Sequence, residues 1–120
     1  MTVTGIIERT DALFPNVYPF PVKARWLFIF DKRVAGEFIS RYRELPVLSD
    51  EDRISGDREL FLPEEFSAVY ENYLIMEMEL HSGNITGYGN RAALFNSEYL
   101  SFMKHYNRTH SIRSAKINID

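Results

Sequence analysis

The chain contains no cysteine among its 120 residues. This absence excludes a disulfide framework, a zinc site built from thiolates and a cysteine nucleophile. Long apolar runs are also missing, because the stretches Trp26 to Phe30 and Tyr73 to Met76 are far shorter than the roughly 20 residues that span a bilayer. We therefore expect a protein that does not cross a membrane.

Sequence signals for secretion, cofactor binding and catalysis are equally scarce. The N-terminus has no basic start followed by an apolar run, so we expect no signal peptide and a cytoplasmic location. The phosphate-binding pattern GxxxxGK[ST] and the patterns GxGxxG, HExxH and GxSxG do not occur. These absences predict no cofactor and no metal site, and they favour a binding protein over an enzyme.

Bulky apolar side chains are plentiful. Apolar residues make up 45% of the chain, and nine Phe and seven Tyr supply enough surface for a core. The length suits one domain covering residues 1–120. Pro15, Pro19 and Pro21 fix the backbone and lack an N–H, so we expect residues 1–22 to form an extended arm beside a body of residues 23–120.

The first part of the body predicts one strand and one helix. Residues 23–30 are rich in aromatic and β-branched side chains, which is typical of a strand. Residues 32–45 carry apolar side chains at helical spacing, with Asp31 as a capping residue and Pro46 as a stop. Gly36 weakens this helix, so a strand over residues 37–45, within a small closed barrel, is the alternative.

The middle of the chain predicts a loop and a short helix. Residues 46–59 are polar and rich in turn-forming side chains, which indicates a surface loop. Residues 63–71 begin with a proline and two glutamates, which suit the first turn of a helix. We expect this helix to end by about Asn72, where the apolar periodicity changes.

Residues 73–81 alternate between apolar and polar side chains, which predicts a strand with two distinct faces. One face, predicted to be buried, carries Leu74, Met76, Met78 and Leu80. Three further strands are predicted over residues 85–94, 99–106 and 111–119. Their turns would lie at residues 82–84, 96–97 and 107–109, and a helix over 97–105 is the alternative to the third strand.

These elements together predict an α+β fold. An antiparallel meander of about five strands would pack against one longer helix and one short helix. The small closed barrel remains the alternative.

Charge is unevenly distributed along the chain. Residues 44–79 contain eleven acidic and two basic side chains, whereas residues 23–43 and 81–120 are net basic. A solvated acidic surface is the simplest interpretation. The functional interpretation is a small protein-binding module, of the inhibitor or antidote type, that presents this surface to a basic protein partner. Its candidate contacts are Asp50, Glu51, Asp52, Asp57, Glu59, Glu64 and Glu65. Nucleic acid is not expected, because the sequence is acidic overall and lacks RNP-like and helix-turn-helix patterns.

A small-molecule or acid-base pocket on a curved sheet is the alternative function. Carboxylates two residues apart on a strand lie about 7 Å apart, a spacing that suits an acid and a base flanking a bond. The pocket would be lined by Tyr73, Glu77, Glu79, His81 and His105. A solvated sheet face would carry the same residues without any chemistry. Geometry separates the two hypotheses, because binding requires exposed acids and a pocket requires inward-facing ones.

Overall fold

The computed structural model describes the backbone of residues 1–37 and 48–119, and the side chains of residues 1–37 and 48–109. Within this part of the chain, four α-helices form the body: α1 (Val3–Leu13), α2 (Phe20–Glu37), α3 (Ser67–Ser82) and α4 (Ile85–Ile119). The same residues include two short 3-10 helices, Asp50–Ile54 and Glu64–Phe66. Within the described residues the sole β pairing is an isolated bridge between Thr2 and Glu59. The predicted α+β meander and the barrel alternative are therefore wrong, and the fold is a helical bundle.

Helix α3 is the central element, because it contacts α1, α2 and α4. Two connections lie at the same end of the bundle, the α3–α4 turn and the α1–α2 loop. The Tyr18 hydroxyl in that loop donates to the backbone oxygen of Met78, at 3.2 Å. The Trp26 ring, early in α2, packs 5.1 Å from the His81 ring. Neighbouring helices in the chain thus run in opposite directions.

Helix α4 takes in all three strands predicted after residue 84, and the predicted turns at 96–97 and 107–109 are wrong as well. Its inward side chains follow the three- and four-residue spacing of a helix face: Ala92, Phe95, Tyr99, Phe102 and Tyr106. The alternative helix over 97–105 is right in kind and forms part of α4. Aromatic residues favour strands in general, but here their packing on one side of a helix decides the structure.

The strand predicted over residues 73–81 is helix α3. Leu74, Met76 and Met78 are buried as predicted, but Leu80 is 51% exposed, and Tyr73 and Ile75 from the other predicted face are buried too. Because three helices surround α3, most of its circumference is apolar, and the alternation in the sequence comes only from Glu77 and Glu79.

Helix α3 also runs past the predicted end at Asn72 and stops at Gly83. Gly83 has a φ of 81° and donates its N–H to the carbonyls of Glu79 and Leu80. Glycine adopts this left-handed conformation without steric conflict, which makes it a common end for a helix. The turn predicted at residues 82–84 is confirmed, although it joins two helices.

The strand predicted over 23–30 lies inside α2, and the same helix covers residues 32–37 of the predicted 32–45 helix. The remainder of that prediction, the alternative strand from residue 38 on and the stop at Pro46 lie outside the described residues. Pro21 falls in the first turn of α2, where a missing N–H leaves no hydrogen bond unmade. The extended arm is wrong for Val3–Leu13, which is helical, and residues 14–19 alone connect α1 to α2.

Candidate interaction surface

All seven candidate acids lie in residues 48–66, which we call the acidic segment. Residues 48–59 contain no α-helix and one 3-10 turn, in keeping with the loop predicted over 46–59. The helix predicted over 63–71 begins as the second 3-10 turn, Glu64–Phe66, and continues as α3. The backbone of the acidic segment is bonded to the start of the chain: Val3 N–H donates to the Arg58 carbonyl at 3.1 Å, and Thr4 N–H donates to the Gly56 carbonyl at 3.0 Å. A Cβ atom at position 56 would clash with the Thr4 hydroxyl and crowd the Phe20 ring, so Gly56 allows this close approach.

Three buried side chains hold the acidic segment against the helices by hydrogen bonds: Asp31, Arg58 and Tyr70. We call these three residues the buried anchor. The guanidinium Nη1 of Arg58 donates to Asp31 Oδ2 at 2.7 Å, and the Tyr70 hydroxyl donates to Asp31 Oδ1 at 2.6 Å. The Asp31 side chain is fully buried, and the Arg58 side chain is 7% exposed. Asp31 comes from α2, Tyr70 from α3 and Arg58 from the segment, so the anchor joins three parts of the chain.

Backbone groups of the acidic segment complete the anchor. Leu62 N–H donates to the Tyr70 hydroxyl at 2.9 Å, and Phe61 N–H donates to Asp31 Oδ2 at 3.3 Å. Burial raises the pKa of the Asp31 carboxyl, while hydrogen bonds from Tyr70 and Arg58 oppose that rise. Burial likewise raises the pKa of the Tyr70 hydroxyl well above its usual value, and the neighbouring Asp31 carboxylate adds to the rise.

Asp52 shapes the first 3-10 turn of the segment. Its Oδ2 accepts hydrogen bonds from the Ser49 N–H at 2.8 Å and from the Ser49 hydroxyl at 3.2 Å. These bonds tie down the start of the turn that carries the neighbouring carboxylates. Asp52 is half-buried, and its carboxylate is engaged in these local hydrogen bonds. Its role as a partner contact stays a prediction.

The other six candidate acids are exposed: Asp50, Glu51, Asp57, Glu59, Glu64 and Glu65. The Asp50 side chain is 92% exposed and lies 3.7 Å from the guanidinium of Arg53. Glu59 pairs with the Met1 amine at 2.8 Å, and both Glu59 and Glu64 help to raise the pKa of that amine. Glu51, Asp57 and Glu65 make no ion pair with the described residues.

The five residues of the alternative pocket do not meet at one place. Tyr73, Glu77 and His81 share one face of α3, where the ring Nδ1 of His81 lies 2.8 Å from the Glu77 carbonyl. Burial raises the pKa of the Glu77 carboxyl, and nearby His81 partly offsets this. Glu79 points elsewhere and accepts a hydrogen bond from Asn84 at 2.9 Å. His105 lies near the middle of α4, where its ring packs 5.2 Å from the Phe66 ring.

A cavity of about 200 Å³ lies at the α3–α4 turn. Glu79 is the sole member of the predicted pocket on its wall, and the other lining residues are Leu80, Gly83, Asn84, Ile85 and Tyr88. Glu79 is the one carboxylate on this wall, and the only other titratable side chain there is the Tyr88 phenol. The cavity therefore holds neither the carboxylate pair nor the Glu–His pair that was predicted. Among the described residues no three His, Asp or Glu side chains are grouped so that they could hold a metal ion.

No helix in the described part of the chain combines the length and apolar character needed to cross a membrane.

The buried anchor is the structural feature of this surface that sequence reasoning missed. The sequence predicts Asp31 as a helix cap, but this residue lies inside α2, one turn after Leu27 and one turn before Val34. Both of those neighbours are fully buried. An acid on the apolar face of a helix needs a buried partner. That signal becomes visible only once residues 20–37 are treated as one helix.

Comparison with protein-family models, with curated proteins and with solved structures finds no match to this chain. Its function must therefore be argued from the geometry of its own residues.

Proposed function

We propose that this chain is a protein-binding module that presents the acidic segment to a basic surface on a partner protein. The observation that supports the proposal is the combination of exposed carboxylates with a fixed backbone. Six of the candidate acids face solvent. The segment that carries them is held by the buried anchor and by hydrogen bonds to residues 1–4.

Physical reasoning connects this arrangement to association. Exposed carboxylates of one sign attract a basic surface over several ångströms and raise the rate of encounter. A segment that is already ordered loses little conformational entropy on binding, so more of the interaction energy appears as affinity. A partner surface covered in this way could no longer receive a polyanion such as nucleic acid, which is the basis of the inhibitor or antidote role.

Affinity capture from a native-cell lysate, with quantitative mass spectrometry, tests the proposal. The test variant is Asp50→Asn, Glu51→Gln and Asp57→Asn, which removes three charges and leaves Asp52 and Glu59 in their structural contacts. The matched control removes three exposed or half-exposed acids elsewhere: Glu8→Gln, Glu37→Gln and Glu98→Gln. Both variants change the net charge equally.

The expected result is that a set of basic proteins is captured by the parent and by the control variant and is depleted with the test variant. Surface charge substitutions contribute little to stability, so all three proteins should unfold at similar temperatures. Equal capture by the test variant and the parent would remove the acidic segment as the binding surface.

A further inference from the structure

The buried anchor is incompletely satisfied. Arg58 Nε and Nη2 are buried and have no hydrogen-bond partner among the described residues, although Nη1 is bonded to Asp31. Unpaired buried donors are unfavourable, and a buried ion pair often contributes no more to stability than apolar side chains of similar volume. A gain in folding stability therefore does not explain why Asp31, Arg58 and Tyr70 occupy these buried positions.

Apolar side chains could fill the same space, but they could not make hydrogen bonds to particular backbone groups of the acidic segment. Asp31 accepts from the Phe61 N–H, and Tyr70 accepts from the Leu62 N–H, so two consecutive backbone groups are bonded to two different helices. The Arg58 side chain reaches the same carboxylate from three residues earlier in the chain. A shift of the segment by one residue would break all of these bonds together.

We infer that Asp31, Arg58 and Tyr70 are positioning residues that select one conformation of the acidic segment and thereby set how its carboxylates meet a partner. This inference rests on the proposed function, because it concerns the same binding surface. The three residues do not touch the partner themselves, since Asp31 and Tyr70 are fully buried and Arg58 nearly so.

Hydrogen-exchange mass spectrometry without any partner tests the first part of the inference, that the buried anchor selects one conformation of the acidic segment. Tyr70→Phe removes the hydroxyl that links Leu62 to Asp31. Backbone amides in residues 56–62 should then exchange about 10-fold faster or more, while α3 and α4 keep their protection. Tyr73→Phe is the matched control, because Tyr73 lies in the same helix and its hydroxyl makes no hydrogen bond shown for the described residues. Unchanged exchange in Tyr70→Phe would overturn the inference.

A second variant tests whether the buried anchor positions the acidic segment through its hydrogen bonds or only fills the space beneath it. In Asp31→Leu, Arg58→Met and Tyr70→Phe, apolar side chains replace the whole anchor and leave no unpaired charge. We expect this variant to unfold at a temperature at least as high as Tyr70→Phe, with residues 56–62 still exchanging rapidly. Restored protection of those residues would show that the anchor only fills space, and the inference would be wrong.

The lysate capture experiment tests the second part of the inference, that the buried anchor affects binding of the partner. Tyr70→Phe leaves every surface carboxylate in place, yet it should reduce capture of the basic proteins, and Tyr73→Phe should not. If the charge-neutralised variant loses capture and Tyr70→Phe retains it fully, the inference fails and the proposed function stands. If the charge-neutralised variant also retains capture, the proposed function fails.

Discussion

At the scale of single residues, three buried tyrosines of the aromatic core differ in what their hydroxyls do. The Tyr70 hydroxyl takes part in two hydrogen bonds within the anchor. The Tyr99 hydroxyl is buried and has no hydrogen-bond partner among the described residues, and the Tyr73 ring stacks on Phe30 with centroids 4.8 Å apart. Burial is the main cause that raises the pKa of all three hydroxyls.

These raised pKa values predict loss of stability in alkali. An unfolded tyrosine ionises near its ordinary pKa of about 10, whereas the folded protein holds the proton to higher pH. Their contribution is therefore complete below pH about 10 and is lost as pH rises, by up to about 1.4 kcal/mol per pH unit for each tyrosine. Urea unfolding from pH about 9 to about 11.5 measures this slope.

The double variant Tyr73→Phe and Tyr99→Phe tests the assignment to these side chains. It leaves the Tyr70 anchor intact and should lose stability less steeply above pH about 10 than the parent. An identical slope for both proteins would show that each of these two hydroxyls has the same pKa in the folded and the unfolded protein.

At the scale of elements, α3 shows how a central helix can imitate a strand. Helices at a protein surface have one apolar stripe, and this produces the familiar 3.6-residue pattern. Helix α3 buries side chains toward α1, α2 and α4, and its buried residues include the consecutive run from Tyr73 to Met76. The remaining alternation with Glu77 and Glu79 then matches a two-residue period.

Aspartate substitutions at Met78 and Leu80 distinguish the two geometries. A strand would bury both side chains, whereas in α3 Met78 is 1% exposed and Leu80 is 51% exposed. Met78→Asp should destabilise the protein by several kcal/mol, because it places an unpaired charge in the core. Leu80→Asp should change the free energy of unfolding by less than about 1 kcal/mol. Equal, large losses in chemical denaturation would argue for the strand.

At the scale of the whole molecule, charge is arranged by region. The acidic segment lies on a body whose α2 helix exposes basic side chains, among them Arg25, Lys32 and Arg33. Among the described residues, Arg33 pairs with Glu37 in its own helix, at 2.7 Å. Of the six exposed acids of the acidic segment, Asp50 and Glu59 make ion pairs with described residues, and the other four do not. Most of the charge of the acidic segment is therefore available for long-range attraction.

Salt dependence of association is the corresponding prediction. Neutralising Asp50, Glu51 and Asp57 together should slow association with the captured partner by about an order of magnitude at low salt. The difference should shrink with salt, because the Debye length falls from about 10 Å at about 0.1 M to about 3 Å at about 1 M. Surface plasmon resonance at several salt concentrations measures it, and an unchanged on-rate at low salt would contradict electrostatic steering.

Local chemistry explains the parts that sequence reasoning predicted correctly. The turn at residues 82–84 depends on the backbone freedom of Gly83, and the polar loop after residue 47 depends on side chains that favour water. The exposure of six acids follows from the cost of burying a carboxylate without a partner. Each of these properties belongs to a few neighbouring residues, so the sequence by itself was sufficient.

Tertiary structure decided the rest. The aromatic-rich runs at 23–30 and 99–106 suit strands or buried helices equally well. Contacts between distant parts of the chain, such as those of Phe30 with Phe95 and Tyr99, select the helices. The anchor joins Asp31 to Arg58 and Tyr70 across 27 and 39 positions. No local pattern records such pairings, because hydrogen bonds and burial depend on distance in space and the sequence orders residues only along the chain.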